Sequence, residues 1–349
     1  MKTRSNYEFD FNLLPTGIGS LPHLNAQEAC KVILENFSEI PFWPQLPNLG
    51  FKENMHAQFA YDLPGIIVDY DDKKIFADLE KKLGLEIDSF HRKISECTLT
   101  YDKEYFSGLS TMLAKKELLR ATKAIKGQIT GPISLGLQIT DSQSGKALLY
   151  NELYREIIVK ALNEKAKLQE RLLKALNKQI IIFFDEPSLC MYGTPYLNLS
   201  REEIVNALTS VVKGLSCLKG VHCCGNTDWS MLLKLPIDII SFDAYSYGER
   251  LALFTKELKE FIECGGALAF GIVPSVEENF CRESLETLAA KFDSLLKNFV
   301  RKGLSQKEFL RASLLTPSCG LAGMSVESAG KALKLTKELS QKLRERYGS

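Results

Sequence analysis

The sequence predicts a single (β/α)8 barrel, the TIM-barrel architecture, and three observations carry that expectation. Eight short, almost continuously apolar runs are spaced along the chain, each ending in Gly, Pro or a polar cluster. Longer amphipathic stretches of helical period lie between them. Polar and sulfur-bearing residues gather at the carboxyl ends of the runs, the rim where such barrels place their function.

The runs are residues 16–21 (TGIGSL), 40–46 (IPFWPQL), 124–130 (AIKGQIT), 179–185 (QIIIFFD), 220–224 (GVHCC), 238–243 (DIISFD), 267–273 (ALAFGIV) and 313–318 (SLLTPS). Strands covered on both faces in a parallel sheet read in this way, whereas half-exposed strands alternate. Among the helical stretches, residues 26–37 carry Ala29, Val32, Ile33 and Phe37 on one stripe behind Asn25 as N-cap. Residues 145–177 are rich in Leu, Ala, Glu and Lys, and residues 200–218 open with Ser200 three before Glu203, a capping box. Residues 247–264, 276–302 and 325–347 follow the same style. Strict alternation favours the closed barrel, with an open doubly wound sheet as the second architecture.

One connection is out of proportion. Residues 47–123, between the second and third strands, are too many for a simple crossover and read as an insertion over the barrel mouth, within one domain spanning 1–349. Inside it, residues 65–76 (GIIVDYDDKKIF) predict a hairpin turning at Asp71 and Asp72, and Lys81, Lys82, Glu86, Arg92 and Lys93 predict a solvated surface.

Composition excludes several classes. Apolar residues make up 45% of the 349 and charged residues 25%, an ordinary globular mixture. Lys and Arg (44) nearly balance Asp and Glu (43), so no basic face is offered to nucleic acid or anionic lipid, and small substrates are expected. No apolar run approaches the roughly 20 residues of a membrane span, and residues 1–12 lack the apolar core of a secretory signal. A cytoplasmic protein is expected, so the nine cysteines read as reduced thiols. Cys30, Cys97, Cys190, Cys217, Cys264 and Cys281 read as small buried hydrophobes.

The rim residues carry the chemistry. His222 and Cys224 stand two apart on one strand, so their side chains share a face while Cys223 points the other way. Cys319, at the end of the eighth strand, supplies a second thiolate across the mouth, and one nitrogen with two sulfurs and an open or carboxylate-filled position suits Zn2+. A buried histidine beside inert cysteines fits the same spacing. Gly19 and Ser20 bring backbone, free N–H groups and a hydroxyl close to a ligand carboxylate, or simply make a tight turn. Asp185-Glu186-Pro187 places two acids after a strand, for an amine or for bracing; His23 lines the pocket or a surface loop. A carboxylate binder, an amine-binding acid and a zinc–thiolate site together describe a pocket for an amino acid bearing a thiol.

Six segments in collinear order, TGIGSLPH (16–23), ITGPIS (129–134), FFDEPSL (183–189), HCCGN (222–226), ISFDAY (240–245) and TPSCGL (316–321), resemble the catalytic half of cobalamin-independent methionine synthase. That family lies within a superfamily shared with uroporphyrinogen decarboxylase. The resemblance implies a (β/α)8 barrel that moves a methyl group to a zinc-bound thiol in methionine biosynthesis. It implies zinc ligands at His222, Cys224 and Cys319, with Asp243 where the family has a glutamate ligand. It further implies a carboxylate site at Ile18, Gly19 and Ser20, an amine-binding aspartate at Asp185, and catalytic roles for Asp185 and Asp243. Two cysteinates and one acid against Zn2+ leave such a site near charge −1, which preserves nucleophilicity on a coordinated sulfur.

The departures fall on the donor side. A second amine-binding glutamate corresponds to Gln45, a tryptophan near the folate corresponds to Gln138, and an Asp-Ile-His proton-transfer segment is Val273-Pro274-Ser275 here. The family's N-terminal second barrel has no counterpart in these residues. The expected partners are therefore a small-molecule thiol and a methyl donor that is either a methyl-folate or a methyl-corrinoid protein. A decarboxylase-like lyase is the first alternative, although residues 1–92 supply only Arg4 and Arg92 to grip substrate carboxylates. A non-catalytic metal- or corrinoid-handling protein is the second.

Overall fold

The computed structural model describes residues 9–79, 83–96, 98–177 and 179–348. Its strands are β1 (Leu14–Pro15), β2 (Ile66–Asp69), β3 (Lys74–Ala77), β4 (Ile125–Thr130), β5 (Thr140–Asp141), β6 (Ile180–Asp185), β7 (Leu218–Cys223), β8 (Ile239–Phe242), β9 (Ala267–Val273) and β10 (Ser313–Pro317). Seven of them form a parallel sheet in the order β1-β10-β9-β8-β7-β6-β4, with helices in the connections. The protein is thus an α/β fold built on a long parallel sheet, as the apolar runs require.

The second run does not form a regular strand. Residues 40–46 touch their neighbours through single parallel bridges, Phe42 with Lys126 and Gln45 with Ser20. Pro41 and Pro44 remove two ladder donors from this run, so no continuous ladder can build on it. The first run is displaced as well: the ladder lies at Leu14–Pro15, just before the predicted 16–21. At Gly17 a Cβ would stand 2.1 Å from the Phe42 ring, so only glycine lets the two segments approach this closely.

Two apolar layers explain the continuous runs. Along β6, Ile181 and Phe183 belong to an inner cluster, while Ile180, Ile182 and Phe184 belong to the larger cluster under the helices. The inner cluster takes Leu14, Ile40, Ala124, Ile181, Leu218, Ile239, Ala267 and Leu314, one or more residues from or beside each of the eight runs. Burying a side chain of this kind contributes roughly 1.5–3 kcal/mol.

The helices follow their sequence signals. Asn25 Oδ1 accepts from Gln27 and Glu28 N–H to cap Ala26–Asn36, and the Ser200–Glu203 capping box opens Arg201–Val211. The 145–177 stretch becomes Glu152–Lys174, capped by Asn151. Ser325 caps Val326–Tyr347. The 247–264 stretch is broken into Ala244–Leu251 and Thr255–Glu263, and the 276–302 stretch into Glu277–Phe280 and Leu285–Arg301.

Within the insertion the expected hairpin is present. β2 pairs antiparallel with β3, and Asp69 Oδ1 accepts from the N–H groups of Asp71 and Asp72 at 3.0 and 2.9 Å. β3 then pairs parallel with β5, which ties the insertion to the segment after β4. Arg92 and Lys93 are exposed as expected, Lys81 and Lys82 lie outside the described residues, and Glu86 accepts from Gly65 N–H at 2.7 Å. Among the described residues no helix is long and apolar enough to cross a membrane.

Candidate metal and substrate site

Alternation within each strand decides which side chains enter the interior. Ile181 and Phe183 face inward on β6, so Asp185, two further along, takes the same face one layer higher. Leu218 faces inward on β7, which turns His222 and then Cys224 the same way and sends Cys223 outward with Val221. Cys223 is fully buried there, its Sγ 3.4 Å from Gly225 O. Register places Asp185 beside His222 and His222 beside Ser241 on β8.

Cys319 follows β10, separated from β7 by two intervening strands in the sheet, yet it meets them. One donor atom each from His222, Cys224 and Cys319 lies within 4.8 Å of the other two. His222 Nδ1 is 2.9 Å from Ser241 Oγ, while its Nε2 is buried with no hydrogen-bond partner. An orphaned imidazole nitrogen beside two sulfurs is the donor set that suits zinc, and the residues present fit that ion. Hydrogen bonding from the Cys319 thiol holds Cys224 down to about 4 against the opposing effect of burial, with His222 assisting. The same contact and burial push Cys319 well up. Of the two thiols, Cys224 is the one whose ionised form the site favours.

Asp243 stands outside this three-residue group. It is the N-cap of Ala244–Leu251, its Oδ1 accepting from Ser246 N–H at 2.8 Å. Burial raises its pKa, and Cys224 and His222 lie within electrostatic reach of it.

A cavity of about 230 Å³ opens beside the three donors, lined by Ile18, Ser20, Gln45, Asp185, His222, Cys224 and Cys319 among others. Asp185 Oδ1 is buried there without a partner, and burial pushes the carboxyl up to about 6. Gly19 sits between Gln45 and Gln128, where a Cβ would stand 2.9 Å from Gln45 Oε1. The other half of the Asp-Glu pair does not face the cavity: Glu186 accepts from Ile133 N–H, Ser134 N–H and Ser134 Oγ–H at 2.9, 2.8 and 2.6 Å, bracing the segment after β4.

Sequence reasoning passed over Glu53, Asn54 and Met55, which reach the cavity wall from the insertion. Gln45 donates to Gln58 Oε1 at 2.8 Å and Gln58 donates to Glu53 Oε2 at 3.0 Å, so a chain of buried side chains ties residues 53–58 to the cavity wall at Gln45. Only the polar ENM segment inside an otherwise featureless stretch hinted at this. His23 is buried with its Nδ1 unpartnered and is not among the residues lining the cavity. Gln138 is exposed at the end of Pro132–Gln138, and Ser275 bonds Ser318 through both its N–H and its hydroxyl.

The remaining cysteines divide. Cys30 and Cys217 are buried as expected, but Cys190, Cys264 and Cys281 are exposed, and Cys97 lies outside the described residues. Cys264 and Cys281 are C-cap residues, and helix ends here sit at the surface.

Fold and geometry together define an α/β protein with a buried histidine and two half-buried cysteines meeting at the carboxyl ends of parallel strands. A solved structure of a B12-independent methionine synthase from Shewanella sp. W3-18-1, in complex with selenomethionine, matches it with a TM-score of 0.59. The match covers 96% of this chain and 98% of that one at 16% identity, a likeness of fold. No family model and no curated protein matches the sequence.

Proposed function

We propose that the protein is a zinc-dependent methyltransferase acting on a thiol of the homocysteine type, on a (β/α)8 barrel closed through the bridges at residues 40–46. The observation that carries this reading is the convergence of His222, Cys224 and Cys319 within 4.8 Å beside a cavity. Zinc held by these residues supplies a Lewis acid that keeps a coordinated thiol ionised at neutral pH. Ser241 fixes His222 so that Nε2 presents its lone pair. Asp243, close to the group and capping the next helix, is the proposed acid that completes the shell. Asp185, with a buried oxygen free, receives the substrate ammonium, and Ile18, Ser20 and Gln45 form the wall against which its carboxylate lies, with Gly19 in the same backbone segment.

The reaction transfers a methyl group from the donor to the acceptor sulfur, which gives up its proton. The exposed Gln138 and the Ser275–Ser318 contact leave the donor side unlike that of the folate-dependent enzymes, which favours a methyl-corrinoid protein alongside methyl-folate as the donor to test. Metal analysis of purified protein should give about one zinc per chain, and both donors should then be screened with thiol acceptors. Metal content unchanged in Cys319→Ser and His222→Ala would refute the site. Tight metal binding without methyl transfer to any thiol would favour the metal-handling alternative.

A further inference from the structure

A buried lysine lies beneath this cavity. Lys126 on β4 is fully buried, and its inward neighbours along the strand are Ala124 in the inner cluster and Gln128. Its Nζ donates to Ile18 O at 2.5 Å and to Gln128 Oε1 at 3.2 Å, and it lies 4.5 Å from the centre of the Phe183 ring. An ammonium taken out of water costs several kcal/mol, and an apolar side chain of equal volume would fill the space without that cost. Asp185 is the acid whose charge favours the ammonium, against a burial that pulls Lys126 down to about 7.

The carbonyl that receives Lys126 belongs to the segment on the cavity wall. The backbone amides of Ile18, Gly19 and Ser20 have no acceptor among the described residues, although Ile18 and Gly19 are buried. Buried amides are nearly always paired, and successive free N–H groups make a concavity for an anion. Ile18 O and Gly19 N–H are opposite ends of one trans peptide unit. A cation on the oxygen fixes that unit and strengthens its N–H as a donor. Ile18 and Ser20 line the same cavity as His222, Cys224 and Cys319.

We propose that Lys126 is a positioning residue for an anion subsite made by the amides of Ile18, Gly19 and Ser20, and that it makes the cavity select thiols that carry a carboxylate. The inference rests on the thiol reading above. It assigns a task to a buried lysine for which that reading otherwise has no use.

The test uses the full-length protein loaded with cobalt(II) in place of zinc, with the thiolate-to-cobalt absorption as the signal. L-Homocysteine is compared with 3-aminopropane-1-thiol, which has the same thiol and amine and lacks the carboxylate. The wild type should bind homocysteine at least about tenfold more tightly, the size of one hydrogen bond to a charged group. Lys126→Met should lose that preference by weakening homocysteine alone, with cobalt content unchanged. Lys126→Gln, which keeps a donor but no charge, should lose it too, and Lys126→Arg should retain it. Equal weakening of both thiols, or a preference unchanged in Lys126→Met and Lys126→Gln, overturns the inference while leaving the thiol reading standing. A wild type that binds cobalt but shows no change in that absorption, beyond the part due to Cys224 and Cys319, with either compound overturns both.

Discussion

Replacing Ser241 by alanine tests the metal site without touching a ligand. The serine oxygen lies 2.9 Å from His222 Nδ1, and the other ring nitrogen, Nε2, is the buried atom without a partner. A neutral imidazole carries one N–H and one lone pair, so metal binding through Nε2 requires the proton on Nδ1, donated to Ser241. Alanine strands that N–H in a buried position and frees the ring to turn or to exchange tautomers. Partners of this kind are worth about 10- to 100-fold in metal affinity, or about 1.4–2.8 kcal/mol. The assay is a zinc titration of apo-protein against a chromophoric chelator, with Ser241→Thr as the variant that keeps the hydroxyl. Ser241→Ala should bind weaker by that factor and still bind one ion, with Ser241→Thr near the wild type. Wild-type affinity in Ser241→Ala would refute the assignment of Nε2 as a ligand.

Other consequences are equally direct. Cys319→Ser should lower zinc affinity by about a thousandfold, since one of three ligands then forfeits roughly 4 kcal/mol, whereas Asp243→Asn should lower it less; equal losses, read in the same titration, would contradict this ranking. Zinc binds thiolates, so the proton held on Cys319, whose pKa is raised while that of Cys224 is lowered, must leave when zinc binds. Affinity should therefore rise about tenfold per unit between pH 7 and 8, and a flat profile would contradict a proton held on Cys319. Glu186→Ala leaves Ile133 N–H, Ser134 N–H and Ser134 Oγ–H without their acceptor, and should cost about 3 kcal/mol in urea denaturation. A shift below about 1 kcal/mol would show that water replaces the carboxylate.

Local periodicity determined much of this protein. The near-continuous apolar runs at 124–130, 179–185, 220–224, 238–243, 267–273 and 313–318 all became strands of one parallel sheet, because a strand packed on both faces is apolar at most positions on both. The two-residue spacing of His222 and Cys224 put both on the inner face with Cys223 behind, and Asn25 and Ser200 capped the helices they precede. These features depend on neighbours in sequence, and the sequence states them outright. Tertiary structure decided the rest. Two prolines reduced residues 40–46 to single bridges, and the insertion delivered Glu53 to the cavity wall. Lys126 gave no local sign that its ammonium would end under Ile18, 108 positions away. The approach of Cys319 to Cys224, across two intervening strands, depends on the curvature of the whole sheet. Curvature arises from twist and packing summed over every strand, a quantity that no local window of residues contains.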